Sequence, residues 1–341
     1  MSGRYKTLHT EQEFPKGEKW LREEAVKNSR GNAKQKRIAL EQFDEYLQEE
    51  GVSLEIVDNN ILEDFSLWLD DEKGYAHSTL SHRWYAVRNY LNEHVQDGVG
   101  YKVKEESYIL EWIDKGTETQ KQKDRDVHWL EQDKIDQLIS GAKNLKNKLC
   151  IELLWNTGCR PSEISRMKVR RLDRDNRAIT VKTSKVTDSD AENYERTVFY
   201  SRSMRSTMRE WLDRGGRASH PYADESPYLI VGYNTPSVSA RQINKIVRMA
   251  AEEAGIQEDM IKTAMTDGDD EPVYANRITP KTLRHSFAVH SVRGRKKSGK
   301  DPIDIERLRR LMGHSSLDIT RHYLQYRESE LREAYDHSHP A

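Results

Sequence analysis

Between Trp20 and about Glu111, apolar residues recur three or four positions apart in WLREEAV, IALEQFDEYLQEE, ILEDFSLWLDDE and STLSHRWYAVRNYLNEHV. That spacing lines one face of a helix and leaves the opposite face polar, so the stretch predicts a small all-helical bundle. Gly51, Gly74 and Gly98 fall where its helices should end. Helical spacing resumes in WLEQDKIDQLISGA and KNKLCIELLWNTG, and then the period changes. AITVKTSK and ERTVFYS alternate at every second residue, which predicts a hairpin of two strands flanking a polar connection from Val186 to Tyr194. Further helices are predicted near Arg202 to Arg214, Val238 to Ala254, Pro280 to Val292, Ile303 to Met312 and Leu317 to Ser329. DGDDEP, Asp267 to Pro272, lacks the ligand spacing and closing glutamate of an EF-hand and reads as a solvated loop.

The run KGTETQKQKDRD, Lys115 to Asp126, is polar and without period, as a linker is. The expected division is therefore 1–115 helical, 116–126 linker and 127–341 a second, mainly α domain carrying the small β-hairpin. A length of 341 residues agrees with two cores. The net charge of -1 hides an asymmetry, because the residues through Asp126 carry 19 Lys+Arg against 26 Asp+Glu and the remainder 37 against 31. The second part is the basic one, and a local excess of cations attracts a polyanion. The apolar run LCIELLW is far shorter than the roughly 20 residues of a membrane span, and MSGRYKTLHTEQEF has no signal-type apolar region. A cytoplasmic protein without membrane association is expected. Cys150 and Cys159 are too few for a disulfide scaffold and are expected to be reduced.

Three segments could carry chemistry. In TGCRPSEI a helix should end at Gly158 and another begin at Pro161, which places Arg160 at a helix start. A guanidinium there calls for an anion, and phosphate fits its fork. In ITPKTLRHSFAVH, Thr279 is the expected N-cap and Pro280 the first helical residue, with Lys281 and Arg284 on one face. His285 and His290 on the same helix are read as structural. In RLMGHSSLDITRHYLQY, Gly313 ends a helix, His314 sits in the break and Tyr323 follows about two turns later. A tyrosine hydroxyl, with a reference pKa near ~10, is a poor nucleophile unless neighbouring cations favour the phenolate. Arg83 and Arg88, beside Trp84 in the first domain, are candidates for DNA backbone contacts.

In this order and separation, TGCRPSEI, the Lys182 hairpin, KTLRH and LMGHSSLDITRHY resemble the catalytic domain of the tyrosine recombinases, the phage integrase-like enzymes. The resemblance runs from about Trp129 to Tyr326, and the helical first domain is similar to the family's SAM-like core-binding domain. It implies a two-domain C-shaped clamp that breaks and rejoins DNA through a 3′-phosphotyrosyl bond, with no metal, ATP or other cofactor. Arg160 and Arg284 match the arginines that clamp the scissile phosphate. Lys182 matches the hairpin lysine, a general acid for the 5′-oxygen, with Lys185 as the alternative and a DNA contact. His314 matches the family histidine, and Tyr323 matches the nucleophile, with Tyr326 one turn further as the alternative. Lys281 stands where the family usually has histidine, and a lysine, of reference pKa about 10.4, stabilises charge better than it accepts protons.

The implied partners are double-stranded recombination sites and three further copies of the chain in a tetramer, with accessory proteins possible. ESELREAYDHSHPA is the candidate segment for exchange between copies, or a terminus packed on its own chain. Three other readings stay open: a topoisomerase or telomere resolvase of the same chemistry, a DNA-binding relative that has lost cleavage, and a metal-dependent nuclease or transposase using Asp267 to Glu271.

Overall fold

The structure is a computed structural model. It describes residues 7–75, 77–99, 128–183, 195–267, 271–294, 301–314, 317 and 320, with the backbone alone at 77, 259–267 and 271–276. These residues fall into two compact units, 7–99 with 261–274 and 128–260 with 275 onward. The expected linker at 116–126 lies outside them.

The first unit carries α1 (Gly17–Lys27), α2 (Arg30–Glu49), α3 (Asn59–Asp71) and α4 (His77–His94). Their starts are chemically marked: Ser29 accepts the N–H of Asn32, and Asp58 that of Ile61. Each such cap satisfies a helix-start donor that has no partner within its own helix. The apolar stripes bury Phe43, Leu47, Phe65, Leu69, Trp84 and Leu91 completely. Phe43 meets Phe65 edge-on at 4.9 Å between ring centres. Gly51, Gly74 and Gly98 all adopt positive φ, as helix ends of this kind require.

The second unit carries α5 (Gln132–Ser140), α6 (Leu145–Thr157), α7 (Pro161–Ile164), α8 (Met204–Asp213), α9 (Ala240–Glu253), α10 (Pro280–Arg293) and α11 (Ile305–Met312). Its central helix is α6, which packs against α5, α8, α9 and α10. LCIELLW explains this position, because a helix apolar on nearly all sides can only be an inner one. Cys150 and Cys159 are buried free thiols, and burial pushes them up to about 12 and about 11.

The expected hairpin is present as β2 (Ala178–Lys182) and β3 (Glu195–Phe199), and a short β1 (Leu172–Asp173) extends it to a three-stranded antiparallel sheet of order β1-β2-β3. The register pairs Ala178 with Phe199 and Lys182 with Glu195. β4 (Asp259–Asp267) and β5 (Glu271–Asn276) form a second, two-stranded sheet, which corrects the loop reading of DGDDEP at Asp267, Glu271 and Pro272, while 268–270 lie outside the described residues. DMIKTAMTD has no clean two-residue alternation, so its sequence gave little sign of a strand. The neck of this hairpin is closed by Gln257 and Ile278. The Ile278 N–H donates to Gln257 Oε1 at 2.9 Å, and Gln257 Nε2 donates to the Ile278 carbonyl at 3.2 Å. Arg277 N–H to the Glu258 carbonyl, 2.9 Å, adds a third bond.

Candidate active site

Helix α6 ends at Gly158, whose φ of 61° turns the chain toward Arg160. A Cβ at Gly158 would lie 2.4 Å from Phe287 Cδ1 of α10, so the turn and the packing both require glycine here. Arg160 is the N-cap of α7, as its sequence predicts, but the anion beside it is internal. Glu163 Oε2 accepts the Arg160 N–H at 2.9 Å, and Oε1 accepts from Arg160 Nη1 at 3.2 Å. The helix thus brings its own third residue back over its first turn, and that carboxylate meets Arg160 within the chain.

Glu163 is fully buried and gains a second partner in Arg196 of β3, at 2.8 Å from Nη2 to Oε2. Burial alone would raise this carboxyl, yet the hydrogen bond and charge of Arg196, then those of Arg160, hold it down to about 2. Arg196 itself is 7% exposed.

Helix α10 delivers Arg284. Thr279 and Pro280 open it as expected, Thr279 N–H donating to Thr282 Oγ1 at 3.1 Å. Arg284 is buried and spans three segments: it donates to the Gly158 carbonyl, to the Met312 carbonyl at 2.9 Å and to His314 Nε2 at 2.7 Å.

Helix α11 ends at Gly313, with φ 64°, and His314 follows, 5% exposed. Arginines hold three carbonyls at this end: Arg196 Nε binds Leu311 O, Arg284 Nη2 binds Met312 O, and Arg309 Nη1 binds His314 O, each at 2.9 Å. Such carbonyls have no partner within their own helix and favour cations. Because a guanidinium only donates, His314 Nε2 is the acceptor, and the ring proton sits on Nδ1, bonded to Thr320 Oγ1 at 2.9 Å. Burial, then the charges of Arg284, Arg160 and Arg196, push His314 down to about 3 against the opposing pull of Glu163. The imidazole is neutral here, and so His314 is not a third cation.

Of the residues singled out in the sequence, Arg160, Arg284 and His314 therefore converge. Lys182 is exposed at the end of β2, with the adjacent Thr183 hydroxyl 2.9 Å from Arg196 Nη1. Lys281 is exposed on the second residue of α10. Tyr323, Tyr326 and Lys185 lie outside the described residues. His290 is structural as expected, bonded to the Leu130 carbonyl at 2.9 Å with Trp129 and Trp155 edge-on.

Arg83 departs from the expected surface contact. It is 7% exposed and donates to the Gln35 carbonyl at 2.9 Å, because its position on α4 faces the bundle interior. Arg88 is half-buried, its guanidinium 5.8 Å from the ring centres of Trp84 and Tyr85. Glu163 and Arg196 are the members of the cluster that sequence reasoning did not assign. Their signal was available, since an arginine at an inward position of an alternating strand needs a buried acceptor. Among the described residues, no group of three His, Cys, Asp or Glu side chains is placed to hold a metal ion.

Residues 128–330 match the phage integrase family and residues 18–106 the phage integrase SAM-like domain. Tyrosine recombinase XerC of Corynebacterium glutamicum is 27% identical over 197 residues, 58% of this chain and 52% of the relative. XerC of Mycobacterium leprae is 27% identical over 220 residues, 62% and 63%. The chain thus spans between half and two thirds of the length of these relatives. Tyrosine recombinase XerA of Pyrococcus horikoshii is 23% identical over 311 residues, 83% of this chain and 94% of the relative. Among solved structures, XerH site-specific recombinase bound to its difH substrate superposes with a TM-score of 0.64 at 17% identity, over 94% of this chain and 84% of that one. A lambda integrase dimer bound to a COC' core site gives 0.58 at 13%, over 92% and 95%. These structures share the fold. With a family match over more than half of its 341 residues, the chain belongs to the phage integrase family.

Proposed function

We propose that this chain is a site-specific DNA recombinase that cleaves and rejoins DNA by transesterification through Tyr323. The observation that carries the reading is the position of Arg284, whose one guanidinium bonds both Gly158, two residues before Arg160, and His314. Two arginines and a histidine from three distant segments are thereby gathered where a phosphodiester could lie, as the family's motif order implies. The Tyr323 oxygen bonds to phosphorus, the bond from phosphorus to the 5′-oxygen breaks, and that oxygen takes a proton from Lys182. A 3′-phosphotyrosine and a 5′-hydroxyl result, and the tyrosine proton passes to solvent or to a nearby base. One phosphoester replaces another, so rejoining needs no nucleotide.

Arg160 and Arg284 supply fixed positive charge for the five-coordinate phosphorus. His314 begins neutral, and an arriving phosphate anion raises its proton affinity. Lys281, exposed at the start of α10, stabilises charge near the scissile phosphate. The partners in this reading are duplex recombination sites and a tetramer of this chain, with 1–115 as the core-binding domain and 127–341 as the catalytic one. Arg88 and Lys185 are DNA contacts in it, and the protein acts in the cytoplasm on DNA. Among the described residues no helix is long and apolar enough to cross a membrane.

The test is incubation with nicked suicide sites in EDTA, followed by denaturing electrophoresis for a covalent protein–DNA band. The reading expects a band that Tyr323→Phe abolishes and Arg160→Ala abolishes without loss of most DNA binding. A band surviving Tyr323→Phe overturns the nucleophile. DNA binding without any band favours a relative that has lost cleavage, and DNA cutting only with divalent metal favours the nuclease.

A further inference from the structure

We propose that Arg196 is a positioning residue for strand cleavage, locking the segments of Arg160, Lys182 and His314 into one frame. The inference rests on the recombinase reading above and adds a residue that none of the matched motifs assigns.

The Arg196 guanidinium spends its hydrogens on three separate segments. Nη2 donates to Glu163 Oε2 at 2.8 Å, and Nη1 lies 3.3 Å from Glu163 Oε1. Glu163 holds both the backbone and the side chain of Arg160, so Arg196 bears on Arg160 through one carboxylate. Nη1 also donates to Thr183 Oγ1 at 2.9 Å, fixing the residue next to Lys182 at the end of β2. Nε donates to the Leu311 carbonyl at 2.9 Å, three residues before His314. The same side chain packs on Gly313, where an added Cβ would lie 2.9 Å from Arg196 Nη1. One buried fork thus reaches a neighbour of each of three proposed reacting groups, from separate parts of the chain.

A planar fork is needed for this. Lysine offers a single nitrogen, which cannot face Glu163, Thr183 and Leu311 in these directions together. None of these partners is a substrate atom, so the effect of Arg196 on the reaction is exerted through Glu163, Thr183 and the end of α11. A displacement of about 1 Å in such groups can cost on the order of a hundredfold in rate.

The experiment measures two quantities on the full chain with a nicked suicide site: the dissociation constant for DNA and the single-turnover rate constant for covalent adduct formation. Arg196→Lys is expected to bind DNA within about twofold of wild type while forming adduct at least about tenfold more slowly. A purely structural role would lower the fraction of active protein, seen as adduct amplitude, and leave the rate constant of the active fraction unchanged. Glu163→Gln is expected to slow the step too, and the double variant to be no slower than the slower single one, since both break the same link. Thr183→Val removes only one arm and is expected to slow adduct formation about threefold, so the test stands even if Arg196→Lys does not fold. Unchanged rate constants in Glu163→Gln and Thr183→Val overturn the proposal while wild-type adduct at Tyr323 leaves the recombinase reading intact. A wild-type protein that forms no adduct overturns that reading, and the proposal falls with it.

Discussion

Arg284 donates to His314 Nε2 across 2.7 Å, so the arginine fixes which nitrogen of the histidine carries the proton. Burial of that ring, with the charges of Arg284, Arg160 and Arg196, fixes how the histidine responds to acid. The folded-state pKa of His314 is depressed from 6.5 to about 3, so the unfolded chain binds the proton more tightly. Its contribution to stability is therefore present above pH 6.5 and is lost as pH falls from there toward 3. Between pH 6.5 and pH 5 the loss is about 2 kcal/mol. Glu163, held at about 2, contributes in the same direction lower down, below its ordinary value of 4.5. Urea melts from pH 8 to pH 5 should show the midpoint falling in wild type and a flatter profile in His314→Gln. Parallel profiles would remove His314 as the source.

Gly158 and Gly51 separate two costs that usually arrive together. Both have positive φ, 61° and 66°, but a Cβ at Gly51 meets nothing within 4 Å whereas one at Gly158 meets Phe287 at 2.4 Å. Gly51→Ala should therefore cost only the left-handed backbone penalty, about 1–2 kcal/mol. Gly158→Ala should cost more than Gly51→Ala by the overpacking term, about 1–3 kcal/mol. Thermal melting of both variants checks this, and Phe287→Leu should recover part of the second loss and none of the first. Equal losses at the two glycines would contradict the packing argument.

Arg83 offers a test of inside against outside. Its guanidinium bonds the Gln35 carbonyl and side chain within the first unit, and burial disfavours its charge. Arg83→Met should leave the dependence of DNA affinity on salt unchanged while shifting stability. Removal of a true phosphate contact would reduce the slope of log affinity against log salt by about 0.9. A slope reduced by that amount in Arg83→Met would return the residue to the DNA surface.

Helix positions were legible because apolar spacing and end signals agreed. Thr279 sits where a helix starts, and Gly158 and Gly313 sit where helices end, and each can be recognised without knowing the fold. The three site segments were legible for a different reason, namely their order along the chain. Their convergence was not, since nothing local in KTLRH says that Arg284 will reach back to the carbonyl of Gly158. Glu163 and Arg196 show the same limit, because their value arises only when β3 is laid against α7 and the end of α11. The neutral state of His314 is also a property of packing, produced by burial and three arginines from other segments. β4 and β5 were missed because their sequence has neither a strand's alternation nor a helix's period.

The reciprocal bonds between Gln257 and Ile278 make the β4–β5 hairpin a cassette. Two side-chain bonds and one backbone bond hold the chain together where it leaves and rejoins the second unit, so the entropy of closing a loop at that point grows only slowly with its length. A segment joined in this way can lengthen or shorten while the bonds at its neck still set where α10 begins. The chain thus has a place where sequence can drift or be engineered without disturbing the arginines that α10 presents.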